Sequence, residues 1–395
     1  MEHPTRPRPH RKGALPAAMV TLGLVLSACG PGDSGSGARS ATSAPAAAKV
    51  QDPLVVTYDG GMYVIDGTTL KVVQDIPLDG FNRVNPAGNG RHVMVSTATG
   101  FRVLDAQGAR LTEDEFAAPK PGHVVHHAGK TVLFSDGAGK ATTFDPSRLG
   151  DGLPQSSTYT SQHPHHGVAI ALADGGLVVT MGTEEKRTGI QVLDDERKEI
   201  ARSEDCPGVH GEATAKAEAV VVGCENGALL YKDGKISKVR APDEYGRIGN
   251  QAGHDDSPIV LADYKTDPDA ELERPERVSL IDTRTARIRL VDLGTSYTFR
   301  SLGRGPDGEA LVLGTDGALH VVDPERGEVT RKIKVTGRWR EPLEWQQPRP
   351  ALHVRDRTAY VTDPGSSTLY AVDIESGKVK SKARLPRTPN ELTSA

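Results

Sequence analysis

The chain has 395 residues, 36% of them hydrophobic and 25% charged, which is enough apolar side chain for a sizeable core and too little for a multi-span membrane protein. A formal net charge of -4, with no basic block beyond the first twelve residues, offers no field for non-specific nucleic-acid binding. With 43 glycines and 27 prolines the chain turns often, so many short strands are expected.

Arg6, Arg8, Arg11 and Lys12 precede an apolar stretch from Ala14 to Ala28, too short for a membrane-spanning helix and suited to an export signal. It runs into Leu26-Ser27-Ala28-Cys29, which resembles a bacterial lipobox: small residues admit the signal peptidase and the Cys29 thiol takes the diacylglycerol. The alternative, an ordinary signal peptide carrying a cysteine, leaves an odd free thiol outside the cell. Residues 1–28 are therefore expected to be a lipoprotein signal peptide. Residues 29–52, rich in Gly, Ser, Ala and Pro, have too little bulky side chain to offset the entropy of ordering and read as a flexible tether. The expected location is extracytoplasmic, held at the bacterial cell membrane by the lipid alone.

From residue 53 onward one pattern recurs: an apolar strand ending in Asp, then a turn and another short strand. The marker falls at Asp66, Asp105, Asp145, Asp194, Asp233, Asp282, Asp323 and Asp373, with successive spacings of 39, 40, 49, 39, 49, 41 and 50 residues. A period near 40 with occasional insertions is the spacing of β-propeller blades. Each carboxylate is expected to accept backbone N–H bonds two residues on and set the turn into the fourth strand. Further strands such as His92–Ser96 and Ala219–Cys224 precede each marker, and no stretch shows sustained helical periodicity. The fold expected for 53–395 is all-β: one closed propeller of eight four-stranded antiparallel blades, or seven if one copy is degenerate. The first copy lacks an inner strand, and the segment from Pro386 to Leu392 can return to supply it, removing open sheet edges.

Of the 13 histidines, seven (His123, His126, His127, His163, His165, His166 and His210) fall between positions 123 and 210. His123 lies 8 residues before Thr131, His166 lies 11 before Leu177, and His210 lies 9 before Ala219, so all three fall at the start of the innermost strand of consecutive copies. Imidazoles on three rigid strands at one mouth of the channel make a cage for a divalent cation, with Zn2+ favoured by availability and geometry. A water, a carboxylate such as Glu212, or a partner's ligand would fill the fourth position. His163 and His165 read as exposed loop residues just outside that mouth, either an accessory capture site or merely solvated. His92, His254, His320 and His353 are scattered and read as structural.

Cys206 and Cys224 flank the strand that His210 begins. Folding the hairpin brings them together, and an oxidising compartment favours a disulfide, with thiolate ligation of zinc as the competing use.

Pro121-Gly122-His123-Val124-Val125-His126-His127, His166-Gly167-Val168-Ala169-Ile170, Cys206-Pro207-Gly208-Val209-His210-Gly211-Glu212-Ala213 and the closing Pro389-Asn390-Glu391 resemble the motifs of AztD-type zinc metallochaperones, from about Pro53 to the C-terminus. The resemblance implies a β-propeller outside the cytoplasmic membrane that hands zinc to the solute-binding protein of a zinc ABC importer, with His123, His166 and His210 in the zinc site. The family pattern also includes a His-rich stretch shortly before the first motif. Here Thr112-Glu113-Asp114-Glu115-Phe116 stands in its place, so no second zinc site is expected there.

The resulting expectation is a monomeric, non-enzymatic zinc chaperone. Two alternatives come from other classes: a zinc-dependent hydrolase or lyase with Glu212 as base, and a metal-independent protein-interaction propeller. No Gly-rich phosphate loop or nucleophile elbow is visible, and the aromatic content is low for a quinone-cofactor enzyme.

Overall fold

The computed structural model describes residues 49–395. The expected signal peptide, the lipidated Cys29 and the tether as far as residue 48 lie outside the described residues. Val50, ahead of the first strand, is buried, and its N–H donates to the carbonyl of Gln107 at 2.9 Å.

Eight sheets, each with four antiparallel strands, form an eight-bladed β-propeller, and the fifth-blade sheet gains a short parallel addition at Gly246–Arg247; this settles the blade count. Blades 2 to 8 each use four consecutive strands. Their first strands are Arg83–Pro86, Pro121–His127, Ala169–Ala171, His210–Ala215, Gln251–Ala252, Leu302–Arg304 and Leu352–Arg355, and these inner strands neighbour one another around the channel. Among the described residues the only helical element is the 3-10 turn Pro146–Arg148.

The marker aspartates accept backbone N–H groups of the following turn in seven copies, and in four of them, Asp66, Asp145, Asp282 and Asp323, the donor stands two residues on as expected. Asp66 Oδ1 accepts the N–H groups of Thr68 and Thr69 at 3.1 and 2.7 Å, and Asp282 Oδ1 accepts that of Arg284 at 2.8 Å. Asp105 and Asp373 instead reach the N–H three residues on, and Asp194 the one four residues on, because their turns are wider. Asp233 differs because its hairpin is tighter: Lys232 pairs with Lys235, leaving a two-residue loop in which Asp233 and Gly234 take φ values of 50° and 75°. That loop twists with the strands and needs no side-chain acceptor.

Burial follows position in the blade. Ala219–Cys224 is buried along its whole length, whereas the outer strand Lys378–Arg384 shows its charged side chains to solvent. The apolar clusters lie between blades, for example Ile190 and Val192 of blade 4 against Val220 and Val222 of blade 5.

The ring closes through the C-terminus. Leu392–Ser394 pairs with the strand Pro53–Tyr58 and becomes the inner strand of blade 1, slightly later in the chain than the expected 386–392. Leu54 and Ile65 of blade 1 pack on Tyr360 and Leu369 of blade 8. Glu391 anchors the junction: its carboxylate accepts from the N–H of Val84 at 3.1 Å, from Arg83 Nε at 3.2 Å and from Arg300 Nη2 at 3.0 Å. On blade 8, His353 Nε2 lies 2.9 Å from Ser394 Oγ of the closing strand.

Cys206 and Cys224 form a disulfide, both sulfurs buried, with Cα atoms 4.9 Å apart and 18 residues of separation. It fastens the approach to the inner strand of blade 5.

Three stability predictions follow from this construction. Replacing Glu391 by Gln leaves the buried Arg300 without its carboxylate and should cost about 3 kcal/mol in urea unfolding. The double variant Cys206→Ser/Cys224→Ser should lose about 3 kcal/mol, the chain-entropy value for a loop of this order, and native protein should show neither thiol to an alkylating reagent. Burial lowers the His353 pKa from 6.5 to about 4. Between these values the unfolded chain binds more protons than the folded one, so stability should fall as the pH drops from about 6.5 toward about 4. His353→Gln should flatten part of that slope in unfolding midpoints measured across the interval.

Candidate metal centre

Local backbone irregularities aim the three histidines. The pairing of the blade 3 inner strand is interrupted between Pro121 and Val124, which places His123 in a bulge. A second bulge lies between His210 and Glu212 in blade 5, where Gly211 takes a φ of +69°. Bulges turn a side chain away from the regular pleat, here toward the channel mouth. His166 lies just ahead of the short inner strand Ala169–Ala171 of blade 4.

The structure brings His123, His166 and His210 together, with one ligand atom from each lying within 4.8 Å of the others. Their ring centroids are 5.2, 5.4 and 5.0 Å apart. Two of the rings are held from behind. His166 Nδ1 lies 2.6 Å from Asp136 Oδ2, and His210 Nδ1 lies 2.6 Å from the carbonyl of Gly249. A carbonyl can only accept, so His210 carries its proton on Nδ1, and the Asp136 carboxylate assigns the same tautomer to His166. Both Nε2 atoms then present lone pairs, and they face each other at 3.1 Å. Opposed lone pairs at this distance repel, a cation beside them relieves that repulsion, and acceptors behind ligating imidazoles are the usual support of a zinc site. Asp136 can approach only because Gly122 has no side chain: a Cβ there would stand 2.2 Å from Asp136 Oδ1.

Burial also favours the neutral form of His123 and His210. It pushes His123 down to about 3, with the charges of His166 and Arg83 adding to the effect, and it pushes His210 well below its ordinary value. The His166 side chain is 42% exposed, against 21% for His123.

The other candidates are placed differently. Glu212 Oε2 lies 3.5 Å from His123 Nδ1, outside the ligand cluster, and its carboxyl is pushed up to about 8 by burial. It lines a second cavity, together with His126 and His254. His165 corrects the expectation of an exposed loop residue. It is buried, packs edge-on against Phe134 at 5.3 Å, and spends its ring nitrogens on the carbonyl of His163 and on Thr180. Its position two residues before Gly167, in the turn into blade 4, tucks it under that blade. His163 is exposed as expected. His127 Nε2 lies 2.9 Å from Glu218. Thr112–Phe116 falls within the outer strand Arg110–Ala117 of blade 2.

Asp136 and Gly249 were not singled out in the sequence. Asp136 sits in the Ser-Asp-Gly turn after the strand Lys130–Ser135, and only its proximity to His166, 30 residues away, reveals its role. Above the trio opens a cavity of about 420 Å³ whose walls include Arg83, Arg247, Lys265, Phe299, Leu343 and Trp345.

No family model matches this chain. The zinc chaperone AztD of Citrobacter koseri is 26% identical over 301 residues, covering 74% of this chain and 69% of that protein. The solved structure of apo AztD from Citrobacter koseri superposes with a TM-score of 0.75 at 23% identity, covering 87% of this chain and 96% of that one. Dihydro-heme d1 dehydrogenase NirN shares the fold more distantly, with a TM-score of 0.59 at 11% identity, covering 88% of this chain and 76% of that one. The resemblance to AztD-type proteins read from the histidine motifs therefore holds across most of the chain, in sequence and in fold.

Proposed function

We propose that this protein is an extracytoplasmic zinc chaperone that binds one zinc ion through His123, His166 and His210 and delivers it to the zinc-binding solute-binding protein of an ABC importer. The observation that carries this reading is the pair of Nε2 lone pairs facing each other beneath an open cavity. Three neutral imidazoles leave a coordination position open, so an incoming donor can bind before the resident ligands leave. The likeness to AztD supports zinc as the cargo. The disulfide supports an oxidising compartment, and the lipobox supports anchoring at the cell membrane through Cys29.

A hydrolytic role is less well supported by the disposition of carboxylates. Glu212, the base that role would use, stands on the Nδ1 side of His123 at 3.5 Å, outside the cluster of ligand atoms, and does not line the cavity over the trio. Of the acids facing the cavity over the trio, Asp263 is engaged by backbone N–H groups and Glu341 by Arg349.

His166→Ala should weaken zinc binding at least about 100-fold, and Asp136→Ala, which removes only the acceptor behind the ring, about tenfold. His163→Ala, at an exposed position, should leave affinity unchanged. Competition titration with a chromophoric chelator measures all three. In stopped-flow transfer, a zinc-free solute-binding protein should load faster than zinc leaves spontaneously to a chelator. Loading at the spontaneous rate would make the protein a zinc store and overturn the delivery reading.

A further inference from the structure

Three of the repeat spacings are long, and two of the insertions they record, between Asp233 and Asp282 and between Asp323 and Asp373, contribute walls to the cavity over the histidine trio. The blade 6 insertion supplies Lys265 and Leu272, and the segment leading into blade 8 supplies Leu343 and Trp345. Leu343 and Trp345 are 59% and 50% exposed, and the Trp345 ring is braced edge-on by Phe81 at 5.2 Å. Large apolar side chains braced in the open at a cavity rim are characteristic of a contact surface.

The charges on the same walls are unevenly committed. Asp263 accepts from the N–H groups of Gly249 and Asn250 at 2.7 and 3.0 Å and from Asn250 Nδ2 at 2.8 Å. Glu273 accepts from the N–H groups of Thr266 and Asp267, and Glu341 from Arg349. The cations are less occupied. Arg247 reaches Glu225 only at 3.4 Å, Arg83 shares Glu391 with Arg300, and the Lys265 ammonium has no ion pair or hydrogen bond among the described residues. Arg83 and Arg247 stand close enough to His123 and His210 for their charges to act on the imidazoles. A dication on three neutral ligands, placed among these cations, gives a site whose vacant coordination position favours an anionic oxygen over a neutral donor.

We propose that the cavity receives a carboxylate-bearing segment of the zinc acceptor, whose charge is drawn in by Arg83, Arg247 and Lys265 and whose flanking residues rest on Leu343 and Trp345. This rests on the chaperone reading and names the chemistry of the partner. A volume of about 420 Å³ has room for a stretch of chain and not merely a single ion. The same cations oppose the dication, so they weaken its hold at the moment an outside carboxylate offers a replacement.

The test uses the full chain loaded with zinc and a short, end-blocked Asp-Gly repeat peptide as the probe, with binding followed by calorimetry and by tryptophan fluorescence. The peptide should bind at least about tenfold more tightly than its Asn-Gly counterpart, with an affinity that falls as salt rises. Lys265→Glu should weaken peptide binding at least about fivefold without weakening zinc binding, and Trp345→Ala should weaken the peptide while sparing zinc. Equal affinity for the two peptides, or an unchanged Lys265→Glu, would overturn the proposal. So would acetate binding as tightly as the peptide, because the cavity would then be a small-anion site. Zinc titration of the same samples reads the trio separately: zinc binding indifferent to His166→Ala would overturn the chaperone reading, whereas intact zinc binding without a preference for carboxylate would overturn this inference alone.

Discussion

The separation of three imidazoles in this protein is a property of a closed ring. His123, His166 and His210 stand on three consecutive blades, and no local structure within any one blade fixes the distance between them. The blades hold their angles because apolar clusters fill every gap between neighbours and because Leu392–Ser394 completes the first blade from the far end of the chain. Three residues make a short strand, so the junction is reinforced by Glu391, which ties blade 1 to the first strand of blade 2 and to Arg300 ahead of blade 7. The metal centre and the seam lie in different parts of the ring, yet the first keeps its geometry only while the second holds.

Within that frame, orientation comes from acceptors placed behind the rings. Asp136 and the carbonyl of Gly249 choose which nitrogen of His166 and His210 carries the proton, and so which nitrogen is offered to the channel. Burial does complementary work by disfavouring the protonated forms of His123 and His210. A neutral donor can bind a cation without first losing a proton, and Arg83 and Arg247 stand on the walls of the same cavity.

The fold was largely legible because a repeat announces itself many times over. Eight marker aspartates at near-constant spacing gave the number of blades, and the surplus at the C-terminus gave the closure. Asp233 shows the limit of the marker: the strand ends where expected, but a two-residue hairpin forms the turn by backbone conformation and leaves the carboxylate without that role. The trio was legible for the same reason as the blades, since equivalent register implies convergence. What lay outside the reading was anything made by contact between blades or by interruption of the ladder. The bulges at His123 and His210 have no sequence signal beyond an adjacent glycine, and Asp136 looks like an ordinary turn residue until blade 3 is set beside blade 4. His165 was misjudged because polar neighbours suggested a solvated loop, whereas Thr180 and the carbonyl of His163 satisfy its ring in the interior.

The disulfide has a bearing on metal selectivity. Cys206 stands four residues before His210, and in a reduced chain Cys206, Cys224 and His210 would offer a softer donor set than three imidazoles. Thiolates hold zinc and Cu(I) strongly and would compete with the intended ligands during folding. Pairing the two sulfurs withdraws them from coordination, leaving a centre made of nitrogen alone. On the chaperone reading proposed above, oxidation of this pair comes before zinc binding, since a chain that met zinc while still reduced would offer it the two thiolates of the blade 5 hairpin as well as the imidazoles.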